Sequence, residues 1–158
     1  MAKTGATLKT TATPNGILDL EFAYNSTKTT AVTNAWAANN IVDNIAAAKI
    51  NTSLDFIFLF FYSLFLYFTC KKIARFSTGA FSKAGLLIAK GALLAGILDV
   101  AENAGMLITL SGNALNSVAF ITTACAVIKW ALALLAVIYC LAGLISLMLR
   151  KKTNLLFA

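Results

Sequence analysis

The chain has 158 residues, 59% of them hydrophobic and 12% charged, with a mean hydropathy of +0.81. A soluble domain averages about 45–50% apolar and about 25% charged residues, so both departures argue against a water-soluble domain and for an integral membrane protein. The net charge is +7, but the basic residues flank apolar runs, the pattern that sets topology against anionic lipid, and no nucleic-acid recognition motif accompanies them. There is no histidine, which excludes His-ligated haem, the common zinc sites and Ser-His-Asp catalysis. No metal, cofactor or nucleic-acid partner is expected.

Residues 1–15, MAKTGATLKTTATPN, are polar and Thr-rich. No apolar segment of signal-peptide length follows the early lysines, so they read as a flexible or extended lead-in. Residues 16–24, GILDLEFAY, alternate apolar and polar and predict a short strand or extended segment, with Asp19 and Glu21 on one solvated face. Residues 29–50 are Ala-rich and amphipathic, with Thr29 or Thr30 as cap. Val32 and Trp36 share one side, as do Ile41, Ile45 and Ala48, while Asn34, Asn39, Asn40, Asp43 and Asn44 interrupt the apolar surface. Too polar to span a bilayer, this segment predicts a helix lying at the membrane interface, anchored by Trp36 at headgroup depth.

Asn51, Thr52 and Ser53 read as caps for a first spanning helix over about 54–75, which places Asp55 in its first turn, at the positive end of the helix dipole. Further spans are expected over about 84–110 and 117–149, joined by the turn SGNALN, with 150–158 as a tail. Lys71, Lys72, Arg75, Lys83, Arg150, Lys151 and Lys152 mark the loop at 71–83 and the C-terminus as cytoplasmic, and Lys90 can snorkel to the same side. The uncharged turn at 111–116 and residues 1–52 then lie outside. Cys70, Cys125 and Cys140 fall within or at the end of apolar runs, form no CxxC, and read as small packing residues.

The order GILDLEFA, a helix ending near a Trp, LDFIFLFFYSLFLY, GILDVAEN, and a Lys in the last helix resembles a widespread bacterial family of small, uncharacterised four-helix integral membrane proteins. The LDVAEN hexad at 98–103 is the most specific part, and the resemblance covers residues 10–149. It implies an all-α integral membrane protein of the bacterial cytoplasmic membrane. Family members start with a membrane helix ahead of the segment matching TPNGI; this chain carries MAKTGATLKT there, so the expectation is three spans with a fourth lost or replaced. The family supplies no activity.

Gly85, Ala89, Ala92, Gly96, Asp99 and Asn103 recur at helical spacing, as do Thr122, Ala126, Lys129, Ala133, Ala136, Cys140 and Gly143. Small faces of this kind let membrane helices approach closely, so the two are expected to pack on each other. Counting from the turns places Asp55, Asp99, Glu102 and Lys129 at one depth, with Asn103 beside them, and pairs Lys129 with Asp99 or Glu102. Such a layer is either an interhelix clamp or a proton- or substrate-handling site. The leading reading is an accessory or scaffold protein packing against other membrane subunits or copies of itself. The alternatives are a proton-coupled carrier or channel and a lipid-modifying membrane enzyme; no nucleophile, metal motif or phosphate loop favours the last.

Overall fold

The structure is a computed structural model describing residues 2–38 and 42–156, with side chains described over 5–38 and 42–148. The described residues are helical or in connecting turns, with no strand among them: α1 (Ala2–Thr7), α2 (Ile17–Glu21), α3 (Ser26–Ala37), α4 (Asn44–Phe76), α5 (Gly79–Leu110) and α6 (Asn116–Leu156). The last three contain segments long and apolar enough to cross a membrane: Asn44–Arg75, Gly79–Leu110 and Asn116–Met148. The chain divides into two compact units, Met1–Leu59 with Ile97–Ile128, and Phe60–Gly96 with Lys129–Ala158.

Several local expectations are corrected. GILDLEFAY forms α2, not a strand. Over so short a run, alternation and helical periodicity overlap, and burial of Leu20 and Glu21, with Ile17 packed alongside, is a helical pattern. The Asp19 carboxylate accepts from the Asn15 backbone N–H at 2.8 Å and its side-chain amide at 3.0 Å, closing the turn ahead of the helix. Glu21 is buried, not solvated, and its carbonyl accepts from the Thr123 hydroxyl at 2.9 Å.

The expected helix over 29–50 is two helices. Asn25, not Thr29 or Thr30, caps α3, its side chain accepting from the Lys28 N–H at 2.9 Å. The Asp43 carboxylate accepts from the Ala46 N–H at 2.9 Å at the start of α4. Both are N-caps, a carbonyl or carboxylate oxygen satisfying a first-turn donor. Asn39, Asn40 and Ile41 lie outside the described residues. Because α4 begins at Asn44, Asn51, Thr52 and Ser53 are interior positions and Asp55 is about three turns in, so neither the cap nor the first-turn dipole reading applies. The last helix runs on to Leu156 through the expected tail.

Trp36 is also corrected. Its ring is fully buried, so it has no surface to offer a headgroup layer. A buried indole needs a partner for its N–H. Here Nε1 donates to the Leu8 carbonyl at 3.0 Å and to Thr13 Oγ1 at 3.1 Å, while the Thr13 hydroxyl donates to the same carbonyl at 2.8 Å. The N-terminal segment is therefore built into the first unit: Leu8, Leu20, Val32, Trp36, Ala48, Met106 and Leu110 form one apolar cluster.

The turns follow from glycine. Gly112, at φ +96°, ends α5 in a Schellman arrangement: its N–H donates to the Thr109 carbonyl at 3.0 Å and the Asn113 N–H to the Ile108 carbonyl at 3.3 Å. Gly79, at φ +64°, opens α5 after a two-residue connection from Phe76.

In the second unit, Leu66, Cys70 and Ile73 of α4, Ala89 and Ala92 of α5, and Ala136, Tyr139 and Cys140 of α6 form the core. Within this unit, Ala89 and Ala92 from the small face of α5 share the core with Ala136 and Cys140 from that of α6. Tyr139 stacks on Phe81 at 4.6 Å and donates its hydroxyl to the Phe81 carbonyl at 3.2 Å. Gly85 makes room for it: an added Cβ would meet Tyr139 Oη and lie 2.9 Å from Ala74 Cβ.

Two outcomes are expected. In a Trp130→Phe background, which leaves Trp36 as the sole indole, emission should be blue-shifted and unaffected by brominated lipid; strong quenching would restore Trp36 to the membrane surface. Gly85→Ala should lower stability by ~1–3 kcal/mol through overpacking, as read from detergent melts. Adding Tyr139→Phe should recover part of that loss by removing the hydroxyl in the way; a purely additive double mutant would show that Tyr139 is not the obstacle.

Candidate functional site: the polar interior of the first unit

The first twelve residues of α4 carry a polar stripe on a helix otherwise dominated by Phe and Leu. Asn44, Asn51 and Thr52 are buried and Asp55 is half-buried, with Ala48 on the same side. Spacings of three and four put them on one face. On α5, Asp99, Glu102, Asn103 and Met106 occupy the corresponding buried face, with Glu102 at 0% exposure and Asp99 at 2%.

The two stripes are joined where Asn103 Nδ2 donates to Asp55 Oδ2 at 2.9 Å. An amide donor to a carboxylate is a charge-assisted bond, stronger than a neutral pair and strongest where water is scarce. On the other side of α5, Gly105 opens space for Thr122 of α6, whose Oγ1 would meet an added Cβ. The Asn116 side chain accepts from the Ser26 N–H at 2.7 Å, tying the start of α6 to the start of α3.

Of the expected cluster, Asp55, Asp99, Glu102 and Asn103 all belong to this unit, and the structure bonds Asp55 to Asn103 directly. Lys129 belongs to the second unit, where it is buried with its ammonium 5.6 Å from the Trp130 ring centroid. Asn44, Asn51 and Thr52 were not anticipated as part of the interior. Their helical spacing with Asp55 is the available signal, masked by reading Asn44 as a polar interruption of the helix over 29–50 and Asn51–Thr52 as the cap of another.

The interior is not fully bonded. Among the described residues, both amide atoms of Asn44 and the hydroxyls of Thr52 and Thr122 are buried without a hydrogen-bond partner. Such groups keep a desolvation cost of about 1–3 kcal/mol each. No cluster of three or more potential metal-binding His, Cys, Asp or Glu side chains occurs among the described residues. A cavity of about 540 Å³ in this unit is lined by residues between Ala12 and Val32, including Asn15, Asp19 and Lys28, and takes in none of the acids of α4 or α5. The arrangement can hold two helices in register and bury carboxylates.

No protein-family profile, curated protein or solved structure matches the chain.

Asn103→Leu should cost ~1–3 kcal/mol in a detergent melt, because Asp55 loses a donor in a half-buried position. Asp55→Leu combined with Asn103→Leu should cost less than the sum of the two single changes, since both ends of the bond leave together. Additive losses would mean that the bond does not couple the two helices.

Proposed function

We propose that the chain is an integral protein of a bacterial cytoplasmic membrane, crossed by α4, α5 and α6, and that it serves as an accessory or scaffold subunit packing against other membrane proteins or further copies of itself. The observation that carries this reading is the surface of the three long helices. Phe60, Phe61, Phe65, Phe68, Leu87, Ile97, Phe120 and Ile138 are all more than half exposed, while Asp99 and Glu102 are turned inward. An apolar surface of this extent needs lipid or protein around it.

The charge pattern supports an orientation with Lys71, Lys72, Arg75 and Lys83 on the cytoplasmic side and the turn after α5 outside. The likeness of the LDVAEN segment to the small bacterial four-helix proteins supports the bacterial assignment. In this reading the Asp55–Asn103 bond is a clamp. A clamp accords with a cavity whose lining takes in neither Asp55 nor the acids of α5.

A second reading, a proton-coupled carrier, draws on one observation: two carboxyl groups of α5, Asp99 and Glu102, are buried in a helix long enough to cross a bilayer. Intramembrane ionisable groups often mark ion pathways. The two readings separate cleanly. Purified in mild detergent, the scaffold runs on a native gel well above the mass of one chain, and an Asp99→Asn, Glu102→Gln double variant keeps that assembly. Reconstituted in liposomes under a pH gradient, it dissipates the gradient no faster than empty vesicles. A monomer that collapses the gradient, and stops doing so in the double variant, would overturn the scaffold reading in favour of the carrier.

A further inference from the structure

We infer that the second unit carries a binding groove for an anionic phospholipid, with an acyl chain lying between α5 and α6 and the phosphate held by Lys90. This rests on the membrane insertion proposed above and names a ligand class for one outward face.

The groove has a volume of about 370 Å³ and is walled by Leu87 and Leu94 of α5 and Leu132 and Leu135 of α6, with Gly91 at its floor. The walls are apolar except for Lys90. A Cβ placed on Gly91 would lie 3.4 Å from Leu132 Cδ2, so the missing side chain is what gives the groove its depth.

Lys90 decides the occupant. It is exposed on a helix face otherwise made of exposed leucines, and among the described residues no hydrogen bond or ion pair holds its ammonium. Its Cα is eleven residues, ~16 Å, from the start of α5. The 32 residues of α5 extend ~48 Å, against a hydrocarbon thickness of ~30 Å, so a centred helix places Lys90 ~7 Å inside the hydrocarbon boundary. An unpaired ammonium at that depth is costly.

The geometry supplies a remedy. Side chains on a helix lean toward its N-terminus, here the end nearest Lys90, so the butyl stem can lie along the groove while the ammonium reaches headgroup level. Lys83 lies two turns nearer that end on the same face and is also exposed. The face spanned by Lys83, Leu87, Lys90 and Leu94 carries two cations and no acid. A lipid with a net negative headgroup therefore satisfies both parts of the site, an apolar trough and a cationic end. A zwitterionic lipid fills the trough but brings its own cation to the lysines.

The test uses the full chain in mild detergent, offered equal amounts of phosphatidylglycerol and phosphatidylcholine and read by native mass spectrometry. Preferential retention of phosphatidylglycerol is expected. Lys90→Gln should reduce that preference about fivefold, the effect of one lysine near a lipid surface, while Lys49→Gln, on α4 in the first unit, should leave it unchanged. Gly91→Leu, which fills the trough but keeps both cations, should lower retention of both lipids. Equal retention by the wild-type chain, or an unchanged preference in Lys90→Gln, overturns the site. So does a bound protein that Lys90→Gln releases without any change in lipid, because the groove is then a seat for a partner helix. Alkaline carbonate extraction of cell membranes keeps the two readings apart. Release of the wild-type chain sinks membrane insertion itself, whereas a chain that stays in the pellet but shows no lipid preference sinks only the groove.

Discussion

The 2.9 Å bond between the Asn103 amide and the Asp55 carboxylate sets the register on which the rest of the first unit depends. Few side chains on these two helices could be placed opposite each other at so little cost. A half-buried carboxylate on an apolar helix gains from a donor, and α5 offers an amide at one position. Once that pair is fixed, the remaining partners follow by counting along antiparallel helices. Ala48 lies seven residues before Asp55, and Met106 and Leu110 lie three and seven residues after Asn103; all three share one apolar cluster. Trp36 joins the same cluster, and through its indole N–H it brings in the Leu8 carbonyl and the Thr13 hydroxyl. A slip of one turn along α4 would move Asp55 away from Asn103 and Ala48 away from Met106 together, so the polar bond and the apolar packing specify the same alignment.

The three long helices were legible because their signal is long: apolar runs bounded by basic stops and glycine turns. The small-residue faces were legible for the same reason. Gly85, Ala89, Ala92, Gly96, Asp99 and Asn103 recur over about five turns, and all are buried, as are Thr122, Ala126, Lys129, Ala136, Cys140 and Gly143 on α6, with Ala133 half-buried. What could not be read was local and short. Five residues of α2 satisfy strand and helix periodicity equally. Trp36 on a half-polar helix looks like an interface anchor until its N–H partners, 23 and 28 residues earlier in the chain, are in place. The start of α4 was hidden because Asn51 and Thr52 are good capping residues taken one at a time, whereas it is Asp43 that has its oxygen on a first-turn N–H. In each case a residue type with two common uses was assigned the use favoured by its neighbours in sequence, when contacts distant in sequence had decided otherwise.

The two units solve the problem of holding helices together by different chemistry. In the membrane setting proposed above, helices gain little from hiding apolar side chains, because acyl chains are as apolar as leucine; what remains is close packing and interhelix hydrogen bonding. The first unit relies on bonds between polar side chains and tolerates several buried polar atoms without partners. The second relies on close approach. Gly143 gives its space to Ile73 and Gly85 to Tyr139, and the thiols of Cys70 and Cys140 touch at 3.4 Å as free cysteines in the core. Polar groups are satisfied there too: the Tyr139 hydroxyl reaches the Phe81 carbonyl across the same contact that Gly85 opens. The glycine and the tyrosine are therefore one device. Without the glycine the ring cannot come close enough to make that bond. This is why the small-residue face in the second unit cannot be treated as mere absence of bulk: Gly85 and Gly143 each make room for a large side chain, Tyr139 and Ile73.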